Sequence, residues 1–330
     1  MQLSLSELRK ITHGVVDITE ENGIFTFRRL TRKGLDHYAS TGVNPVSIKA
    51  DATTGVRFDF YTDSALFAFT YRIKSTSSCD FYHFDILVDG IFLDHRGEDS
   101  SMWIKTGRIE VKLPAGEHRV TVWFPSIACA FAEDITLDDG ASFRPVTYQK
   151  KLLCFGDSIT QGHTGRYPSL SYPNQLAVHF DAEMINQGVG GERYVPEILD
   201  EEFAKAYVPD IITVAYGTND WSGLEWEVLT ARCEAFLKGL SELYPDSRVF
   251  VQTPLWRADY KKVTKSGPFE NAVAFYRETA EKYGLTVIDG NPLTPHFPGF
   301  YADSRLHPND LGFAIYAQNL IAAIEKELAK

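Results

Sequence analysis

The sequence predicts an α/β protein in two parts. An antiparallel, jelly-roll-like β-sandwich is expected over residues 1–147, and a three-layer αβα unit with a parallel sheet over residues 148–330. Three observations predict this. Up to about residue 147, apolar and polar residues alternate with period two between turn residues. From about residue 148, short apolar strands alternate with helix-length stretches, the pattern of βαβ units. The polar and glycine-rich segments of this second part all follow strand ends.

Residues 1–40 give no assignment. Beyond them, Val56–Thr62, Ala65–Tyr71, Phe84–Val88 and His118–Phe124 alternate as strands with one buried face do. Asp89-Gly90 separates Phe84–Val88 from Ile91–Asp94. This is a two-residue hairpin signal, because both central positions of such a turn favour residues that tolerate positive φ. Leu113–His118 reads as a further turn between strands. No stretch between about 40 and 147 reads as a helix. The link Ala141–Val146 is short and has no flexible Gly/Ser run, so the two parts are expected to pack together.

In the second part, strands are expected at Lys151–Phe155, Glu183–Asn186, Ile211–Tyr216, Arg248–Gln252 and Leu285–Asp289. Helices are expected at Tyr172–Phe180, Val195–Tyr207, Trp226–Tyr244, Phe269–Tyr283 and Leu311–Leu328. Alternation of this kind buries a parallel sheet on both faces.

Composition removes several classes of function. Thirty-three Lys and Arg against 44 Asp and Glu give a net charge of −11, which argues against a nucleic-acid binder and against docking on an anionic membrane. With 44% hydrophobic and 23% charged residues the chain is neither disordered nor fibrous. No apolar run approaches the ~18–20 residues that span a bilayer. The N-terminus shows no apolar signal core, so a cytoplasmic protein is expected. Cys79, Cys129, Cys154 and Cys233 form no CxxC pair and read as reduced core thiols. Phosphate-loop, dinucleotide and metal-ligand spacings are absent, so no cofactor and no metal are expected.

In parallel sheets, ligands bind beyond the C-terminal strand ends. That rule brings together Gly156-Asp157-Ser158, Asn186–Gly191, Gly217–Asp220 and Asp303–His307. A serine on a tight turn can act as a nucleophile if an imidazole takes its proton. His307 follows at the same edge. A developing oxyanion needs fixed donors, and the amides of Ser158 and Gly191 and the Asn219 side chain are candidates.

Gly156-Asp-Ser-Ile-Thr-Gln-Gly162 resembles the first sequence block of the SGNH (GDSL) hydrolase superfamily. Asn186–Gly191, Gly217–Asp220 and Leu306–Asp310 resemble the others, in order. The resemblance implies a flavodoxin-like fold with five parallel strands in the order 2-1-3-4-5. It implies Ser158 as nucleophile, His307 as base and an Asp completing a triad. It also implies an oxyanion hole of Ser158, Gly191 and Asn219. A β-sandwich ahead of such a unit is similar to the two-domain acetyl esterases of carbohydrate esterase family 2. One departure stands out. The superfamily places its Asp three residues before the His, whereas here residue 304 is Ser and Asp303 lies four before. Either a longer turn still brings Asp303 to His307, or Ser158 and His307 work as a dyad with a backbone carbonyl holding the imidazole.

On the substrate side, Trp221 and Trp256 are candidate stacking faces, with Arg166 and Arg257 as polar contacts. Asp157 is a further candidate substrate contact, expected to fix the nucleophile loop rather than take part in chemistry, and His163, in the loop after the nucleophile, is another candidate contact. The expected activity is hydrolysis of short acyl esters, chiefly acetyl groups on carbohydrates. The partner is a small acylated sugar rather than nucleic acid or membrane, and the oligomeric state stays open. The alternatives are a lipase or thioesterase for longer chains, and a non-catalytic carbohydrate-binding protein.

Overall fold

The computed structural model describes residues 1–76, 79–99 and 104–330. Two antiparallel sheets make up the first part. One runs in the order Thr12–His13, Arg57–Thr62, His118–Trp123, Tyr82–Val88, Ile91–Glu98. The other runs Asp17–Glu21, Ile24–Arg28, Ala128–Leu137, Leu66–Ser75, Ile104–Lys112. Between them lies one core rich in phenylalanine, with Phe58, Phe67, Phe69, Phe84 and Phe124 in mutual ring contact. Much of the aromatic content is therefore core packing, where rings meeting edge to face add to area burial.

The Asp89-Gly90 hairpin forms as expected, with Val88 opposite Ile91 and both turn residues at positive φ. The Leu113–His118 turn instead carries the chain from one sheet to the other. The stretch Phe143–Pro145 is no free linker: it pairs antiparallel with Arg57–Thr62.

The expectation of no helix between about residues 40 and 147 is corrected by Pro45–Ala50, and the unassigned residues 1–40 hold two more helices. Leu5–Ile11, Arg32–Ser40 and Pro45–Ala50 are helical. The signal for the last was present: Asn44 caps the amides of Val46 and Ser47, and Pro45 stands where its missing N–H costs nothing. The helix is only six residues long, too short to show a period.

The second part has a parallel sheet in the order Ala182–Asn186, Lys150–Gly156, Ile211–Ala215, Arg248–Gln252, Thr286–Ile288. In order along this part of the chain that is 2-1-3-4-5, as the resemblance implies. Helices cover both faces, with separate apolar cores on either side. One expected helix is broken: Val195–Tyr207 folds as a 3₁₀ turn at Pro196–Ile198 and a helix at Glu201–Ala206, because Asp200 caps a new start. Among the described residues, no helix is long and apolar enough to cross a membrane.

The N-terminal part grips the parallel unit through buried hydrogen bonds. Arg29, 1% exposed, donates to the carbonyls of Ala52 and Asn186, and Gln187 donates back to the Arg29 carbonyl. Residues 29–52 are thereby fixed against the glycine-rich segment after the second parallel strand.

Candidate active site

The strand Lys150–Gly156 ends at a glycine because a Cβ there would stand 2.0 Å from Thr160 Oγ1. Asp157 caps the one-turn helix Ser158–Gln161 by accepting from the Ile159 amide at 2.9 Å, and Gly162 ends it at φ +84. This places Ser158 at a helix N-terminus, 5% exposed. The Asn186–Gly191 segment is stitched to this turn. Asn186 donates to the Thr160 carbonyl, Val189 N–H to the Gly156 carbonyl, and Gly190 N–H to Gln161 Oε1. Gly191 follows at φ +89, a conformation that favours glycine. Its N–H and that of Ser158 donate to no acceptor among the described residues. Asn219 spends one side-chain proton on the Glu192 carbonyl at 2.8 Å, which fixes its amide beside Gly191 and leaves the second proton free.

His307 Nε2 lies 2.9 Å from Ser158 Oγ, and His307 Nδ1 lies 2.8 Å from Asp303 Oδ2. The other Asp303 oxygen accepts the amides of Arg305, Leu306 and His307. Burial pushes the Asp303 carboxyl upward, but these amides and the imidazole outweigh it and hold it at about 2. Burial lowers His307, against the opposing pull of Asp303. At neutral pH the pair is thus a carboxylate and a neutral imidazole ready to accept a proton. His163 packs edge-on against His307 at 4.8 Å, and burial, with His307 and Lys49 nearby, lowers it to about 3. It adds no second positive charge at neutral pH.

Asp157 is 1% exposed and points into the protein, and burial raises it to about 7. It shapes the loop. Trp221 is corrected from stacking face to core: it is 1% exposed, donates Nε1 to the Gly267 carbonyl and lies against Phe269 with Arg257 over its ring. Its hydrophobic faces are consumed by the helix Phe269–Lys282 that covers them. Arg257, 2% exposed, is held by Asp259 and Thr218 and offers nothing to a ligand. Trp256 is half-buried, stacked on His296 and against Tyr301. Arg166 lies over the Phe81 ring and is ion-paired to Asp99. Cys79 is a correction as well: it is half-buried with Sγ 3.7 Å from the His163 ring, while the other three thiols are buried.

Residues that the sequence reading missed come from the N-terminal part. Val46 and Lys49, on the helix Pro45–Ala50, lie over Gly190 and Gly191. A cleft of about 350 Å³ adjoins them, with Val46, Tyr38, Glu192 and Arg193 among its walls. Only the Asn44-Pro45 cap could have pointed to this helix. Among the described residues, no cluster of His, Cys, Asp and Glu side chains is placed to hold a metal ion.

Residues 154–315 match the GDSL-like lipase/acylhydrolase family. The match spans just under half of the chain. The chain is 23% identical over 255 residues to an acetylxylan esterase of Xylanibacter ruminicola, covering 64% of this chain. It spans about half (51%) of that relative's length. Among solved structures it resembles the salicylyl-acyltransferase SsfX3 of a tetracycline biosynthetic pathway, at TM-score 0.76 and 20% identity over 95% of this chain and 94% of that one. A GDSL-like lipase of Bacteroides ovatus matches at TM-score 0.74 and 18% identity, over 100% and 98% of the two chains. A family two carbohydrate esterase of Clostridium thermocellum matches at TM-score 0.63 and 19% identity, over 84% and 94%. The two-part architecture is thus shared along nearly the whole chain.

Proposed function

We propose that this chain is a serine esterase that removes short acyl groups, chiefly acetyl, from acylated carbohydrates through a covalent acyl-enzyme. The observation that carries the reading is the unbroken hydrogen-bond chain Asp303–His307–Ser158, ending beside two uncommitted amides. In the first step Ser158 Oγ attacks the ester carbonyl carbon, and its proton passes to His307 Nε2. Asp303 holds the imidazole by Nδ1–H and stabilises the imidazolium. The carbonyl oxygen becomes an oxyanion, received by the amides of Ser158 and Gly191 and by the free proton of Asn219. Collapse expels the alcohol, which takes the proton from His307. Water then repeats the sequence on the acyl-serine and releases the carboxylic acid.

The sugar side of the reading is supported by the acetylxylan esterase and the family two carbohydrate esterase among the relatives. In this reading residues 1–147 shape the substrate cleft and residues 148–330 carry the chemistry. The helix Pro45–Ala50 over Gly191 supports that division.

The test compares p-nitrophenyl acetate, p-nitrophenyl octanoate and acetylated xylo-oligosaccharides. Acetyl esters are expected to be turned over fastest, and a fluorophosphonate probe is expected to label Ser158 alone. Ser158→Ala should lose both labelling and several orders of magnitude in kcat, with its melting temperature unchanged. Faster turnover of the octanoyl ester would favour a lipase or thioesterase. Absence of any hydrolysis by the unmodified chain would favour a binding protein.

A further inference from the structure

Lys49 stands out among the cations of this acidic chain. Its stem crosses Gly190, where a Cβ would lie 2.9 Å from Lys49 Cδ and 3.5 Å from Nζ. A Cβ on Gly191 would lie 4.0 Å from the same Nζ. Its backbone is fixed: the Lys49 carbonyl accepts from Gln161 Nε2 at 3.0 Å and from Arg29, so the residue is tied to the turn that bears Ser158. The side chain is half-buried, yet its ammonium has no hydrogen-bond or ion-pair partner among the described residues. It is close enough to His163 and His307 to repel their protonated forms, and burial lowers its own pKa against the opposing pull of the half-buried Cys79. A partly desolvated, unpaired ammonium is unfavourable unless an anion completes it. A chain of net charge −11 repels anions at long range, so admitting one beside Gly191 requires a local cation.

We propose that Lys49 is a specificity-determining residue that binds a carboxylate on the alcohol portion of the ester, so that acylated acidic sugars or hydroxy acids are preferred over neutral ones. The proposal rests on the esterase reading and narrows its substrate class. A matched pair of aryl acetates tests it: 4-acetoxybenzoate, with a carboxylate on the leaving alcohol, and its neutral methyl ester.

The unmodified chain is expected to prefer the carboxylate by about tenfold or more in kcat/KM, the size of a charge-assisted contact. Lys49→Met should erase the preference through KM on the charged ester alone, and Lys49→Arg should restore part of it. Added salt should weaken the preference. No preference in the unmodified chain would overturn the proposal. So would an equal fall of kcat on both esters in Lys49→Met, which would make Lys49 an oxyanion donor instead. Should the unmodified chain cleave neither ester, the esterase reading fails. Calorimetric titration with 4-hydroxybenzoate then decides the cation's role alone. Binding lost in Lys49→Met supports it, and equal or absent binding overturns it.

Discussion

Asp303 reaches His307 across a turn one residue longer than the family's usual spacing, with Oδ2 2.8 Å from Nδ1. The extra residue is absorbed at Ser304, which takes φ +56. Left-handed backbone reverses the chain locally, and three consecutive amides then point at Asp303 Oδ1. The alternative of an imidazole held by a backbone carbonyl is not what this loop builds.

Asp303→Asn is therefore expected to cut kcat steeply, by up to about 10⁴, because the amide favours the wrong tautomer and removes the charge that supports imidazolium. A loss below about tenfold would mean that His307 is oriented by something else. Ser304→Gly should keep activity, since glycine adopts positive φ without strain.

Asn219→Ala should lower kcat by about 10²–10³ with a smaller change in KM. In the proposed mechanism the free proton of Asn219 meets charge that exists only in the transition state. Steady-state kinetics on p-nitrophenyl acetate separates the two parameters, and a large KM change at constant kcat would make Asn219 a ground-state contact.

Trp221→Ala should destabilise the fold rather than change any substrate preference. The ring is buried against Phe269 and Arg257, and deleting a buried Trp costs about 3–5 kcal/mol. Urea denaturation should show the loss. A fully stable variant with altered sugar preference would return Trp221 to the substrate cleft.

Asp157 supplies a pH dependence with a definite sign. Its folded-state carboxyl is raised to about 7, chiefly by burial, while an unfolded Asp titrates near about 4. The folded state holds a proton that the unfolded state releases. The resulting stability is fully present below about pH 4 and is lost as pH rises through 7. Asp220, raised by burial to about 6, acts in the same direction. Asp157→Asn keeps the acceptor for the Ile159 amide and removes the titration. Its melting temperature should fall less than that of the unmodified chain between pH 5 and 8, a range bracketing those two values. Identical pH profiles would show that Asp157 does not titrate there.

The sequence by itself determined the two-part fold, the five parallel strands and the segments carrying Ser158, Gly191, Asn219 and His307. These follow from periodicity and from local turn chemistry, which residues impose on their immediate neighbours. The tertiary structure alone decided which long-range partners these segments meet. Whether Asp303 completes the chain depends on a left-handed Ser304, which no spacing reveals. Whether Trp221 faces a ligand or the core depends on the helix Phe269–Lys282 folding over it, some 48 residues downstream at its start. Lys49 comes to Gly191 only because Arg29 and Gln161 anchor its helix across the boundary between the two parts. Helix and strand periods report which face is buried, but not what that face is buried against. The neighbours that tune this site come from distant segments, and the packing of the two parts selects them.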